Sequence, residues 1–131
     1  MKYLLLVGHS TLAEGIEGAL DMLLGARPFV IACGMHDGTS PDAFRAELAG
    51  KIEGITAQDE VVVLGDISGG SPLKNALVTL AGKGLGDNVM VFGGANLAMA
   101  ISAVMGIDDG LDLASIRDAM LMDGTQAVKQ V

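Results

Sequence analysis

The segment Glu60-Val61-Val62-Val63-Leu64-Gly65-Asp66-Ile67-Ser68-Gly69-Gly70-Ser71-Pro72 decides the fold of this chain. Its opening run, Glu60 to Gly65, is a continuous apolar stretch rich in valine, which predicts a strand buried on both faces. Asp66 to Gly70 reads as a loop. Ser71-Pro72 has the pattern of an N-cap followed by proline at the first helical position, and predicts a helix to about Ala81. Strand, loop and helix in this order form the repeating unit of a parallel α/β sheet.

The same unit recurs on either side. Tyr3 to Val7 is a short apolar strand, followed by Gly8, His9 and Ser10. Thr11-Leu12-Ala13-Glu14 then reads as a capping box, with Thr11 as N-cap and Glu14 reaching back. Leu12, Ile16, Leu20, Leu23 and Leu24 keep helical spacing until Gly25 and Pro28 end the helix. Phe29 to Cys33 is a second buried strand, and Gly34 to Thr39 a loop. Ser40 and Pro41 open a second helix that runs to about Gly54. Beyond the deciding segment, Asn88 to Phe92 is a fourth strand and Gly93-Gly94-Ala95 a turn. Asn96 caps a helix over Leu97 to Met105, and Asp112 to Met122 is a final helix. The tail from Thr125 to Val131 fits either a helix extension or a strand. The alternation predicts an α/β fold with a mostly parallel sheet, right-handed crossovers and helices on both faces.

Composition narrows the setting. The chain has 131 residues, which suits one domain spanning 1–131. Hydrophobic residues make up 50% but aromatics only 3%, so the core must be aliphatic. The formal net charge of −8 disfavours nucleic acid and anionic lipid and suits a basic protein partner. The single cysteine, Cys33, allows no internal disulfide and fits a reducing compartment. The N-terminal apolar run lacks the features of a signal peptide, and no stretch reaches the ~18 apolar residues of a membrane span. A cytoplasmic protein without membrane insertion is expected.

Ligands of parallel sheets bind outside the carboxyl ends of the strands. Three polar segments fall there: Gly8-His9-Ser10, Asp66 to Ser71, and Gly93 to Asn96. If the first and third strands are neighbours, as a 2-1-3-4 order requires, His9 and Asp66 face each other. A carboxylate that accepts the Nδ1 proton leaves Nε2 with a free lone pair as nucleophile. Gly69 and Gly70 let backbone approach an anion, and the N-terminus of the helix at Ser71 offers free N–H groups. Ser71 could add a hydroxyl if it is not spent as the N-cap. On spacing alone, an ordinary loop histidine, an ordinary turn and an aspartate that caps the next helix remain open readings.

At these residues the chain resembles the IIA component of the mannose family (mannose/fructose/sorbose type) of the bacterial phosphoenolpyruvate:sugar phosphotransferase system. The likeness covers nearly the whole length. Leu-Leu-Leu-Val-Gly-His9-Ser is similar to that family's phosphorylation turn. Leu-Gly-Asp66-Ile-Ser-Gly69-Gly70-Ser71-Pro72 is similar to its Asp-x-x-Gly-Gly-Ser-Pro motif, the most specific of the signals. Gly-Gly-Ala-Asn96-Leu-Ala-Met is similar to its later Gly-x-Asn-x-x-Met turn.

The resemblance implies a four-stranded parallel sheet in order 2-1-3-4. It implies a phosphotransferase that takes a phosphoryl group on His9 Nε2 from the phosphocarrier protein HPr. The group then passes to a IIB component working with membrane IIC and IID components. Asp66 would orient the ring, with Ser71, Gly69, Gly70 and Ser10 around the phosphate and no metal or other cofactor. It also implies a homodimer in which a C-terminal antiparallel strand, Thr125 to Val131, is exchanged. No fused IIB domain is expected. Two features depart from the pattern: Ser68 stands where the family often carries an aromatic, and His36 has no counterpart.

Other readings compete. The phosphotransfer subunit of phosphoenolpyruvate-dependent dihydroxyacetone kinase has a similar first turn, but Gly-Gly-Ser-Pro favours the sugar branch. A metal or small-ligand module built on His9, His36, Cys33 and Asp66 matches no zinc spacing. A receiver domain would need an acidic pair where Gly8-His9 stands, and no nucleotide-binding glycine pattern follows a strand.

Overall fold

The computed structural model describes all 131 residues. Four parallel strands, β1 (Lys2–His9), β2 (Val30–Met35), β3 (Glu60–Gly65) and β4 (Val89–Phe92), form one sheet in the order β2-β1-β3-β4. The helices are α1 (Leu12–Leu24), α2 (Pro41–Lys51), α3 (Ser71–Ala81), α4 (Leu97–Asp108) and α5 (Leu113–Gln126), with a short 3₁₀ turn at Gly86–Asn88.

Two mainly aliphatic cores flank the sheet, each with one buried phenylalanine, Phe29 or Phe44, and the period-2 alternation of strand side chains explains both. Leu4 and Leu6 of β1 and Val62 and Leu64 of β3 join α1, α4 and α5 on one face. Leu5, Val7, Val61 and Val63 join α2 and α3 on the other. A strand buried on both faces cannot alternate polar and apolar residues, which is why β1 and β3 read as continuous apolar runs.

The helix ends show where local signals hold. Ser40 caps α2 by accepting from the Ala43 N–H at 3.1 Å. Asn96 caps α4 by accepting from the Met99 N–H at 3.0 Å, and Asp112 caps α5 through the Ser115 N–H at 2.8 Å. Gly25, at φ 85°, ends α1.

Two expected caps are corrected. Thr11 stands at the N-cap of α1, but its backbone is not in the extended conformation usual for a cap and its side chain makes no capping bond; Glu14 does not reach back either. The Glu14 carboxylate instead turns across to His36 at the end of β2. At α3 the N-cap is Gly70, not Ser71. Gly70 is extended and its carbonyl takes the Lys74 N–H at 3.1 Å, so Ser71 is already helical, and the side chain of Asn75 donates to both its carbonyl and its hydroxyl.

Within the single chain the tail is not a strand. Thr125 and Gln126 complete α5, Ala127 closes it, and residues 128–131 carry no strand. A strand needs a ladder partner, and the tail has none within one chain. No helix is long and apolar enough to cross a membrane.

Candidate functional site

The parallel sheet carries the ends of β1, β2, β3 and β4 to one edge, where the first turns of α1, α3 and α4 also start. His9 is the last residue of β1, and Asp66 follows β3 directly. Since β1 and β3 are neighbours, with Val7 beside Gly65, the two side chains meet at the switch point.

Asp66 accepts three hydrogen bonds. Its Oδ2 takes the His9 backbone N–H at 2.8 Å and faces His9 Nδ1 at 2.9 Å, and its Oδ1 takes the Ile67 N–H at 2.8 Å. Burial alone would raise the Asp66 pKa. The bonds from the His9 backbone, the His9 ring and the Ile67 backbone outweigh it and hold the carboxyl below the ordinary carboxylate range. Asp66 is therefore an anion at neutral pH and can only accept, so Nδ1 is the ring nitrogen that donates to it and Nε2 is the one that faces away from the carboxylate. The His9 side chain is 49% exposed while that of Asp66 is only 12% exposed, so the anchor is sheltered and the ring is open to a partner.

Gly70 backs the ring. A Cβ there would lie 3.1 Å from His9 Cε1. Since Cε1 is bonded to Nε2, a group on Nε2 stands close to the start of α3. No side chain caps that helix, so the N–H groups of Ser71 and Leu73 have neither an intrahelical partner nor a capping side chain. Pro72 between them has no N–H to offer. The arrangement can hold an anion beside a histidine nitrogen.

Ser10 has φ 52°, the left-handed region that costs a non-glycine residue ~1–2 kcal/mol. Its N–H is committed to the Met35 carbonyl at 2.9 Å, so only its exposed hydroxyl could face a phosphate. Ser68 is exposed and packs against Gly93, where a Cβ would come within 2.5 Å of the Ser68 Cβ. The turn after β4 is tied to the same loop, since Gly94 N–H donates to the Asp66 carbonyl at 2.9 Å.

A second histidine–carboxylate pair stands on this edge. His36 Nε2 lies 2.6 Å from Glu14 Oε2. Gly34 makes room for it: a Cβ there would fall 2.2 Å from the Ser10 carbonyl oxygen and 2.4 Å from Glu14 Oε1. Gly34→Ala should therefore push apart the turn that carries His9 and lower stability by about 1–3 kcal/mol, read from denaturant midpoints. Sequence reasoning missed this pair because its members lie on separate elements, with no local pattern joining them.

Cys33 is not part of the edge. It is buried in the core on the α2/α3 side, and burial pushes its thiol up to about 11.

Comparison with known proteins accords with this geometry. Three solved structures share the fold. The phosphotransferase system component EIIA from Streptococcus agalactiae is 20% identical, with a TM-score of 0.83 over 99% of this chain and 97% of that one. A PTS IIA protein associated with the fucose utilization operon of Streptococcus pneumoniae is 20% identical, with a TM-score of 0.80 over 98% and 92% of the two chains. The mannose/sorbose specific IIA subunit of the phosphotransferase system of Enterococcus faecalis is 25% identical, with a TM-score of 0.77 over 100% and 96%. The family model described as PTS system fructose IIA component matches residues 3–121, a span that includes His9, Asp66 and the Gly-Gly-Ser-Pro segment. The chain belongs to this family of phosphotransferase-system IIA components, whose general role is phosphotransfer in sugar uptake.

Proposed function

We propose that this chain, as one IIA domain over residues 1–131, is a cytoplasmic phosphohistidine carrier that accepts a phosphoryl group from phosphorylated HPr on His9 Nε2. It then passes the group to a IIB component. One observation carries this reading: the Nδ1–Asp66 contact of 2.9 Å leaves Nε2 as the free nucleophile, beside the open N-terminus of α3.

The chemistry balances without a proton leaving the site. The Nε2 lone pair attacks phosphorus as the donor's P–N bond breaks, and that bond's electron pair returns to the donor imidazole. The His9 ring becomes positively charged while keeping its Nδ1 proton. The Asp66 carboxylate stabilises that charge, and the α3 N–H groups with Ser71 stabilise the phosphoryl oxygens. Onward transfer is the same step in reverse, with the IIB histidine as nucleophile. The exposed apolar residues Leu12, Ile67 and Leu97 lie in the loops and first helical turns of this edge, and the net charge is −8. Both suit docking of a basic protein partner.

The test is labelling from phosphoenolpyruvate with purified enzyme I and HPr. An acid-labile, base-stable phosphate that maps to His9 is the expected product. No label, with both upstream proteins active, would remove the carrier reading.

A homodimer belongs to the same proposal. β4 is an edge strand with Val91 exposed, and the exposed tail carries Val128 and Val131. An antiparallel tail strand from a second copy would cover such an edge. Light scattering should return twice the chain mass, and deletion of residues 128–131 should shift it toward the monomer; a monomeric intact chain would refute this part.

A further inference from the structure

The Ser71 hydroxyl stands one residue beyond the glycine that backs the His9 ring, and the side chains behind it fix which way it can donate. Asn75 lies one turn further along α3 and is buried. Its Nδ2 donates to the Ser71 carbonyl at 2.8 Å and to Ser71 Oγ at 3.0 Å. Its Oδ1 accepts from the Arg45 guanidinium, which also pairs with Asp42 on α2. Arginine only donates, so the amide fits one way round, oxygen to Arg45 and nitrogen to Ser71.

A hydroxyl has one proton and two lone pairs. Asn75 fills one lone pair, so the Ser71 proton must find an acceptor elsewhere. Thr79 on the same helix resolves this by donating back to the Asn75 carbonyl at 2.9 Å. Ser71 is the first residue of α3 and has no helical carbonyl one turn behind it. The Ser71 hydroxyl is a hydrogen-bond partner of Asn75 alone within the chain, and there it is the acceptor.

We propose that Asn75 is a positioning residue. Held by Arg45, it turns the Ser71 hydroxyl proton outward to the phosphoryl oxygens on His9, so that α2 as well as α3 shapes the phosphate cradle. This inference rests on the carrier reading above.

Asn75→Asp is the decisive variant. It keeps the side-chain shape and the Arg45 contact but puts an acceptor where the donor was, so the Ser71 proton turns inward. The initial rate of phosphoryl acceptance from phosphorylated HPr is compared for wild type, Asn75→Asp, Ser71→Ala and the double variant, with melting curves as the check on folding. Asn75→Asp should slow acceptance about tenfold, the scale of one hydrogen bond to a charged group. The double variant should be no slower than Ser71→Ala alone, since Asn75 acts through that hydroxyl. Should Asn75→Asp fail to fold, Asn75→Ala takes its place in the same cycle, with a smaller slowing that also vanishes in the Ser71→Ala background.

Acceptance at the wild-type rate by a folded Asn75 variant would overturn the inference. So would slowing of the Ser71→Ala protein by the same factor, which assigns Asn75 a structural role instead. A wild-type chain that takes no phosphate overturns the carrier reading and this inference together, whereas labelling at His9 that is indifferent to Asn75 overturns the inference alone.

Discussion

His9→Ala is expected to abolish phosphoryl acceptance while leaving the fold in place. The imidazole supplies the only nucleophile on the edge whose second nitrogen is anchored to the Asp66 carboxylate. Alanine offers no lone pair, so the residual rate should be indistinguishable from a reaction without the protein. Stability should change little, because the ring is 49% exposed and Asp66 keeps the backbone bonds from His9 and Ile67. One lost hydrogen bond is worth ~1 kcal/mol. Circular dichroism and the denaturant midpoint check the fold, and gel autoradiography checks the label. A labelled His9→Ala protein would place the phosphate elsewhere, with His36 the next residue to test.

Asp66→Asn is expected to slow transfer by about 10²–10³-fold, the range seen when one preorganised electrostatic partner of a developing charge is removed. An amide cannot stabilise the charged phosphohistidine ring as a carboxylate does. It also cannot satisfy the local bonds. With its oxygen on the two His9 donors, its NH₂ faces the Ile67 N–H, donor against donor. The variant should therefore be less stable than wild type as well as slower.

That stability difference has a predicted pH dependence. The folded-state pKa of Asp66 lies below its ordinary value of ~3.9. A group with a depressed folded pKa contributes its full stabilisation above the unfolded value and loses it as pH falls through the folded value. The gap between wild type and Asp66→Asn should be constant at neutral pH and should close in acid, below about pH 4. Urea titrations across pH 2.5–7, read with the roughly linear dependence on denaturant, measure it. A gap that stays constant down to the lowest pH would show that the anionic carboxylate is not what stabilises the turn.

The order of elements was legible in the residues themselves. The strand Glu60–Gly65 has the bounds its valine run announces, β1 contains its predicted run with one or two residues added at each end, and β2 starts one residue later than predicted, at Val30, and runs on to Met35. Burial on both sheet faces leaves a continuous apolar signature, and Ser40, Asn96 and Asp112 cap their helices through bonds made within three residues. Such interactions are local, so they are written in adjacent positions. The placement of His9 opposite Asp66 needed only the strand order in addition, because both residues end strands on the same edge.

Where a side chain had a choice between a local and a distant partner, the sequence could not tell which would win. Glu14 had a capping role open to it within its own helix, and the folded chain gives it to His36, across 22 positions. Ser71 had the pattern of an N-cap, but Gly70 takes that place, and the Ser71 hydroxyl accepts from Asn75, which Arg45 backs from another helix. What the sequence determined by itself was the run of strands, helices and polar turns, because backbone periodicity and capping act over a few residues. What only the tertiary structure decided was the partner of Glu14 and the support behind Ser71. His36 and Arg45 arrive on elements separate from Glu14 and from Asn75, and they can compete only after folding has brought those elements together.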